Sequence, residues 1–151
     1  MIAPRPRILI VESRYYSTIS DVLLDGAIDA VRSANADWDV ISLPGILELA
    51  PAIAMADESS RRPVGVAYDG YVALGCVLRD DVVGSGRLVD VASQGLMDVA
   101  VTRRLALGQG IIDVAHEADG LRWAKEADGG GNAARACLEL VALQRRLAGT
   151  Q

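Results

Sequence analysis

Tyr68-Asp69-Gly70-Tyr71-Val72-Ala73-Leu74-Gly75-Cys76-Val77-Leu78-Arg79 is the stretch that decides the fold. From Gly70 to Val77 it is apolar on both faces. That pattern suits a strand covered by helices on either side, as in a parallel sheet. Beyond Arg79 the chemistry changes. Asp80-Asp81-Val82-Val83-Gly84-Ser85-Gly86-Arg87 reads as a loop with no histidine and no hydroxyl-rich cradle for phosphate.

Working outward, Arg7 to Glu12 is a second buried strand that ends at the polar Ser13-Arg14. Ile19, Val22, Leu23, Gly26, Ala27, Ala30 and Val31 follow at helical spacing. Trp38 to Leu43 is a strand closed by Pro44-Gly45. Ile46, Leu49, Ala50, Ile53 and Ala54 form another helical stripe, with Pro51 in its early turns, and Ser59 to Pro63 breaks it. After the central strand come a helix (Leu88, Val91, Ala92, Gly95, Leu96, Val99), a strand from Leu105 to Ile112 and a short helix from Glu117 to Glu126. Asp128 to Asn132 reads as a loop. A last helix carries Ala133, Ala136, Cys137, Leu140, Leu143 and Leu147. Strands alternating with helices predict an α/β fold of three α-β-α layers around a four-stranded parallel sheet with right-handed crossovers. Residues 1–151 read as one domain. Ligands of such sheets bind beyond the carboxyl ends of the strands. Those ends are Ser13 to Tyr16, Leu43 to Glu48, Val77 to Gly86 and Ile111 to Val114.

Hydrophobic residues make up 51% of the chain, enough for one core, but aromatics only 4%, so each tyrosine and tryptophan carries weight. A formal net charge of -5 argues against nucleic acid or an anionic membrane as partner. Lys125 is the only lysine, and arginine supplies the remaining positive charge. Cys76 and Cys137 lie in apolar runs without metal-ligand or redox spacing, which predicts buried free thiols in a reducing, cytoplasmic setting. Met1 to Arg7 contains no signal-peptide core, and no apolar run approaches about 18 residues. Gly129-Gly130-Gly131 follows a helix rather than a strand and lacks a Lys-Ser/Thr, so it is not a nucleotide loop.

Six segments in order carry a family resemblance. They are Ile8 to Tyr16, Pro44 to Glu48, Tyr68 to Arg79, Gly95-Leu96-Met97-Asp98-Val99, Gly108-Gln109-Gly110-Ile111-Ile112 and Ala133 to Leu138. Together they resemble 6,7-dimethyl-8-ribityllumazine synthase of the alphaproteobacterial type, an enzyme of riboflavin biosynthesis. The resemblance implies a flavodoxin-like sheet order and no metal or organic cofactor. It implies a homopentamer (in some members a decamer or an icosahedral shell) with each site between adjacent subunits. The family condenses 5-amino-6-(D-ribitylamino)uracil with 3,4-dihydroxy-2-butanone 4-phosphate. By position, Tyr15 would stack on the pyrimidine and Glu48 would accept hydrogen bonds from ribityl hydroxyls. Glu48 also reads as an acid favoured at a helix start. Gly45, Ile46, Leu47, Val77 and Leu78 would offer mainly backbone groups, and Gln109 could hydrogen-bond the pyrimidine. Tyr16 is assigned no role.

Past Arg79 the chain departs from the family pattern. Asp80 and Asp81 stand for glycine and glutamate, Val82 and Val83 for the next pair, and Gly84 for histidine. Glycine can neither take nor give a proton, so the usual acid–base group is missing. Two adjacent carboxylates would repel phosphate. Trp123 and Gly129 stand where the family has basic phosphate partners, and Arg122, Lys125 and Arg87 are the cations left as substitutes. His116, the only histidine, reads as a residue flanking a helix start or as a relocated general base. Asp113 replaces a common threonine. Three functional readings follow. The chain is a weakened synthase, a silent member that binds a ribityl-pyrimidine or serves assembly, or a catalyst acting on a non-phosphorylated partner.

Overall fold

A computed structural model describes residues 3–149. Four strands, β1 (Arg7–Ser13), β2 (Asp37–Leu43), β3 (Gly70–Leu78) and β4 (Leu107–Val114), form one parallel sheet in the order β2-β1-β3-β4. That is the flavodoxin-like order, and its topological switch point lies between β1 and β3. Helices α1 (Ser17–Ser33), α4 (Glu117–Lys125) and α5 (Gly129–Leu147) cover one face, and α2 (Leu49–Ser59) and α3 (Ser85–Arg103) cover the other.

Strand alternation sorts the core into two layers. Ile8, Ile10, Val72, Leu74 and Cys76 pack against Ile19, Leu23, Ala27, Ala134 and Cys137. Leu9, Val11, Tyr71, Ala73 and Val77 pack against Leu49, Ile53, Ala92 and Leu96. Every residue of β3 is buried, which is why its sequence runs apolar without alternation. Both cysteines are buried and free. Burial pushes the Cys137 thiol up to about 12 and the Cys76 thiol up to about 11, Asp113 adding to the latter. No described helix is long and apolar enough to cross a membrane.

Four boundaries differ from the sequence expectation. Gly129 to Asn132 is not a loop; it opens α5. A Cβ on Gly130 would lie 1.9 Å from the Leu23 carbonyl oxygen, and one on Gly108 would lie 1.9 Å from that of Ala133. Gly130 lets α5 approach α1, and Gly108 lets β4 approach α5, backbone to backbone, which for Gly130 outweighs a helix propensity about 1 kcal/mol poorer than that of alanine. Asp128 accepts the Gly131 N–H at 3.2 Å and caps the helix. Next, α3 begins at Ser85, so the stretch expected to be loop through Arg87 already contains its first turn. Third, β4 runs from Leu107 to Val114 rather than from Leu105 to Ile112. Leu105 instead closes α3, donating its N–H to the Ala100 carbonyl at 2.8 Å after Arg104 turns left-handed. Last, Ile46–Glu48 forms a 3₁₀ turn ahead of α2, and Pro51 occupies the first turn of α2, where its missing N–H costs nothing.

Candidate active site

The carboxyl ends of β1, β2 and β3 converge on a mostly apolar cleft of ≈ 280 Å³. Its walls are Ser13, Tyr15, Tyr16, Pro44, Gly45, Ile46, Glu48, Cys76, Val77, Val82 and Leu88. The cleft therefore sits at the switch point, where an open α/β sheet leaves room for a ligand. Close packing shapes its floor. A Cβ on Gly75 would come within 2.7 Å of Ile46 Cγ2, so only glycine lets the β2–α2 turn seat against β3.

A buried ionic group holds the β1 end in place. The Glu12 side chain is only 2% exposed. Its carboxylate accepts from Arg14 Nη1 at 2.9 and 3.1 Å and from Ser42 Oγ at 2.5 Å. Arg14 also pairs with Asp21 on α1. Ser20 Oγ donates to the Ser13 carbonyl at 3.2 Å. These bonds fix the chain just before Tyr15 and Tyr16. The Tyr15 ring is 61% exposed beside the cleft and meets the Tyr16 ring edge-on at 4.8 Å.

Tyr16, which the sequence reading left without a role, lines the cleft, and its hydroxyl accepts the Leu78 N–H at 3.4 Å. Burial, with the Asp81 carboxylate also contributing, pushes its phenol up to about 12, so it stays protonated at neutral pH. Glu12 was missed as well. Its signal in the sequence is a charge that directly follows the apolar run Ile8 to Val11 within β1.

Of the residues singled out from sequence, Tyr15, Gly45, Ile46, Glu48 and Val77 come together in the cleft. The Glu48 carboxylate folds back toward Gly45, 3.3 Å from where a Cβ on that glycine would stand. Leu47 is exposed and is not a wall residue. Leu78 meets the site through Tyr16. Gln109 lies in the middle of β4, opposite Ala73, away from the cleft walls.

The β3–α3 and β4–α4 loops are tied to each other. Asp113 accepts from Ser85 Oγ at 2.7 Å and from Arg79 Nε at 3.3 Å. His116 Nδ1 lies 3.1 Å from Asp80 Oδ2, an exposed pair at the helix-flanking position expected for His116. Gly84 takes the left-handed φ of 71° as the cap residue of α3, with open space where a side chain would begin. Trp123 and Gly129 meet directly, a Cβ on Gly129 falling 2.6 Å from the indole. Arg122 pairs with Asp119 at 3.1 Å. With Lys125 it lines a separate surface depression alongside Val22, Ala118 and Leu121. Arg87 is exposed in the first turn of α3.

Comparison with known proteins follows this geometry. Residues 5–145 match the family model of 6,7-dimethyl-8-ribityllumazine synthase. The chain is 43% identical over 144 residues to 6,7-dimethyl-8-ribityllumazine synthase of Bartonella tribocorum, covering 94% of this chain and 92% of that protein. It is 44% identical over 146 residues to the Nitrobacter hamburgensis protein of the same name, covering 94% of this chain and 88% of the relative. It is 44% identical over 144 residues to 6,7-dimethyl-8-ribityllumazine synthase 1 of Rhizobium meliloti, covering 93% and 92%. A model match over most of the chain, an order of strands that fits the fold, and a cleft at the switch point agree: the chain belongs to the 6,7-dimethyl-8-ribityllumazine synthase family.

Proposed function

We propose that the chain binds 5-amino-6-(D-ribitylamino)uracil in the cleft at the ends of β1, β2 and β3, and catalyses its condensation with 3,4-dihydroxy-2-butanone 4-phosphate only weakly. The observation that carries this reading is the convergence of Tyr15, Gly45, Ile46, Glu48 and Val77 on one cleft. Tyr15 offers a ring face for the pyrimidine. Glu48 offers two acceptor oxygens to ribityl hydroxyls. The apolar walls exclude water from the ring.

The condensation joins the two substrates and releases water and inorganic phosphate. Bringing an amine and a carbonyl together in the correct orientation can alone contribute roughly 7–11 kcal/mol. Losing a single general acid or base costs about 10²–10⁴-fold. Gly84 carries no proton-transfer group, and His116, bonded to Asp80, belongs to the loops rather than to the cleft walls. Weak turnover by positioning is the outcome these magnitudes favour.

The alternative, a silent binding or assembly subunit, is supported by the Asp113–Ser85 and His116–Asp80 contacts, which tie the β3–α3 and β4–α4 loops with the protein's own groups. One experiment separates the readings. The protein is mixed with both substrates and followed by lumazine fluorescence. A rate above the uncatalysed condensation is expected, and its absence sinks the enzymatic reading. Saturable binding of a ribityl-lumazine then distinguishes a binder from a scaffold. Assembly as a homopentamer, or a higher multiple of it, is part of the same proposal, and solution mass by light scattering tests it.

A further inference from the structure

Tyr15 and Tyr16 stand side by side on the cleft wall and are held very differently. Tyr15 is 61% exposed, whereas Tyr16 is half-buried. A tyrosine ring turns about two side-chain torsions, so an exposed one samples several rotamers unless a neighbour holds it. Tyr16 is such a neighbour. It is the cap residue ahead of α1, with extended backbone, and its carbonyl accepts the Ser20 N–H at 2.8 Å. Its ring packs against the core layer that contains Ile19 and Cys76. Its hydroxyl accepts the Leu78 N–H at 3.4 Å, at the end of β3. Helix start, core and strand end thus all hold this one side chain. The Tyr15 ring meets it edge to face, with centroids 4.8 Å apart and planes inclined by 69°, an arrangement that aromatic quadrupoles favour. Whichever ring supplies the edge, at least one face of Tyr15 stays uncovered by Tyr16.

We propose that Tyr16 is a positioning residue of this site: its anchored ring sets the orientation of Tyr15, and with it the platform on which the pyrimidine stacks. The inference rests on the ribityl-pyrimidine reading of the cleft. What it requires at position 16 is a ring. The hydroxyl is one anchor of three, so phenylalanine keeps the contact with Tyr15 and leucine loses it. Orienting Tyr15 before the ligand arrives removes part of the ordering cost of binding. An aromatic pair of this geometry corresponds to about twofold to tenfold in an equilibrium constant, which bounds the effect.

The test titrates ribityl-lumazine, followed by its fluorescence, into wild type, Tyr16→Phe and Tyr16→Leu, and into Tyr15→Leu with and without Tyr16→Leu. Tyr16→Met serves if circular dichroism shows that the leucine variant does not fold. Tyr16→Phe is expected to bind at least as tightly as wild type, and Tyr16→Leu about fivefold more weakly. In the Tyr15→Leu background, Tyr16→Leu should cost nothing further, because its effect passes through Tyr15. Undiminished affinity in Tyr16→Leu overturns the proposal, as does an equal loss in Tyr16→Phe. So does a loss that persists in full without the Tyr15 ring, which would mean that Tyr16 touches the ligand itself. A ligand-free measurement separates this inference from the reading of the cleft. The chain has four tyrosines, so isotope-labelled tyrosine gives few enough nuclear magnetic resonance signals to assign Tyr15 by its loss in Tyr15→Leu. The ring current of Tyr16 should displace the Tyr15 ring protons from their free-tyrosine positions in wild type. The displacement should survive in Tyr16→Phe and vanish in Tyr16→Leu. No displacement in wild type, or the same one in all three proteins, overturns the proposal. If wild type binds no ribityl-lumazine, the reading of the cleft fails, while these spectra still decide whether Tyr16 orients Tyr15.

Discussion

The two sides of the strand-end region are built on different principles. On the β1–β2 side, backbone and a few aligned side chains leave an open cleft. Glu12, Arg14 and Ser42 stiffen it from beneath and do not fill it. On the β3–β4 side the loops are occupied by their own side chains: Asp113 on Ser85 and Arg79, and His116 on Asp80. The lesson is that the two sides differ in what meets their polar groups: the β3–α3 and β4–α4 loops pair theirs with one another, while the β1–β2 side keeps an open cleft.

The strongest way to break this contrast is Gly84→His. The open space at Gly84 admits a side chain, although the left-handed φ costs a non-glycine residue about 1–2 kcal/mol. If turnover is limited by the missing proton-transfer group, kcat should rise by about a hundredfold, the lower end of what general acid–base catalysis supplies. A folded variant with unchanged kcat in the fluorescence assay would show that the missing base is not the limit.

Next in size is Glu12→Ala. Removing the buried carboxylate leaves Arg14, 30% exposed, with Asp21 as its remaining partner and takes away the acceptor of Ser42 Oγ, at a cost of about 2–3 kcal/mol. Arg14 and Ser42 would lose their shared acceptor and the chain before Tyr15 would loosen. Urea denaturation should show the loss of stability, and ribityl-lumazine titration should show weaker binding. Loss of stability with unchanged affinity would mean that Glu12 supports the fold but not the cleft.

Gly129→Ala tests the packing of α4 against α5, away from both sides of the site. Its Cβ would enter the indole of Trp123, costing about 2 kcal/mol as overpacking. In a Trp123→Leu background the cost should fall by about 1 kcal/mol, a coupling typical of residues in contact. Strict additivity in thermal denaturation would show that the two side chains are not coupled.

These contrasts also explain what the sequence made legible. The parallel order, the two-layer core and the strand ends follow from local pattern, because strands apolar on both faces admit few arrangements; Tyr15, Gly45, Ile46, Glu48 and Val77 are singled out at those ends by the family resemblance, and they meet in the cleft. The start of α5 did not follow, because three glycines in a row look locally like a loop, although Gly130 is needed for close approach to Leu23. Arg122 and Lys125 illustrate helical geometry: one residue of displacement turns a side chain by about 100°, and both line a separate depression with Leu121. The Asp113–Ser85 and Tyr16–Leu78 contacts join residues 28 and 62 positions apart. No local spacing encodes such pairs.

The smallest expected effect falls at the boundary between the two sides. Tyr16 reaches from the β1 end to the first residue past Val77, accepting the Leu78 N–H that a ligand would otherwise meet. Tyr16→Phe removes that acceptor and should cost about 1 kcal/mol, the net worth of an ordinary hydrogen bond. Its signature lies at high pH. The folded phenol value, about 12, is above the ordinary 10.0, so the stability linked to its proton is complete below the ordinary value and is lost as pH climbs toward the folded one. The difference in stability between wild type and variant should therefore shrink between those limits. The variant also frees the Leu78 N–H, so ribityl-lumazine should bind slightly more tightly even though the protein is less stable. Weaker binding would instead place the Tyr16 hydroxyl among the groups that hold the ligand, and would move the boundary between open and self-filled sides one residue into the cleft.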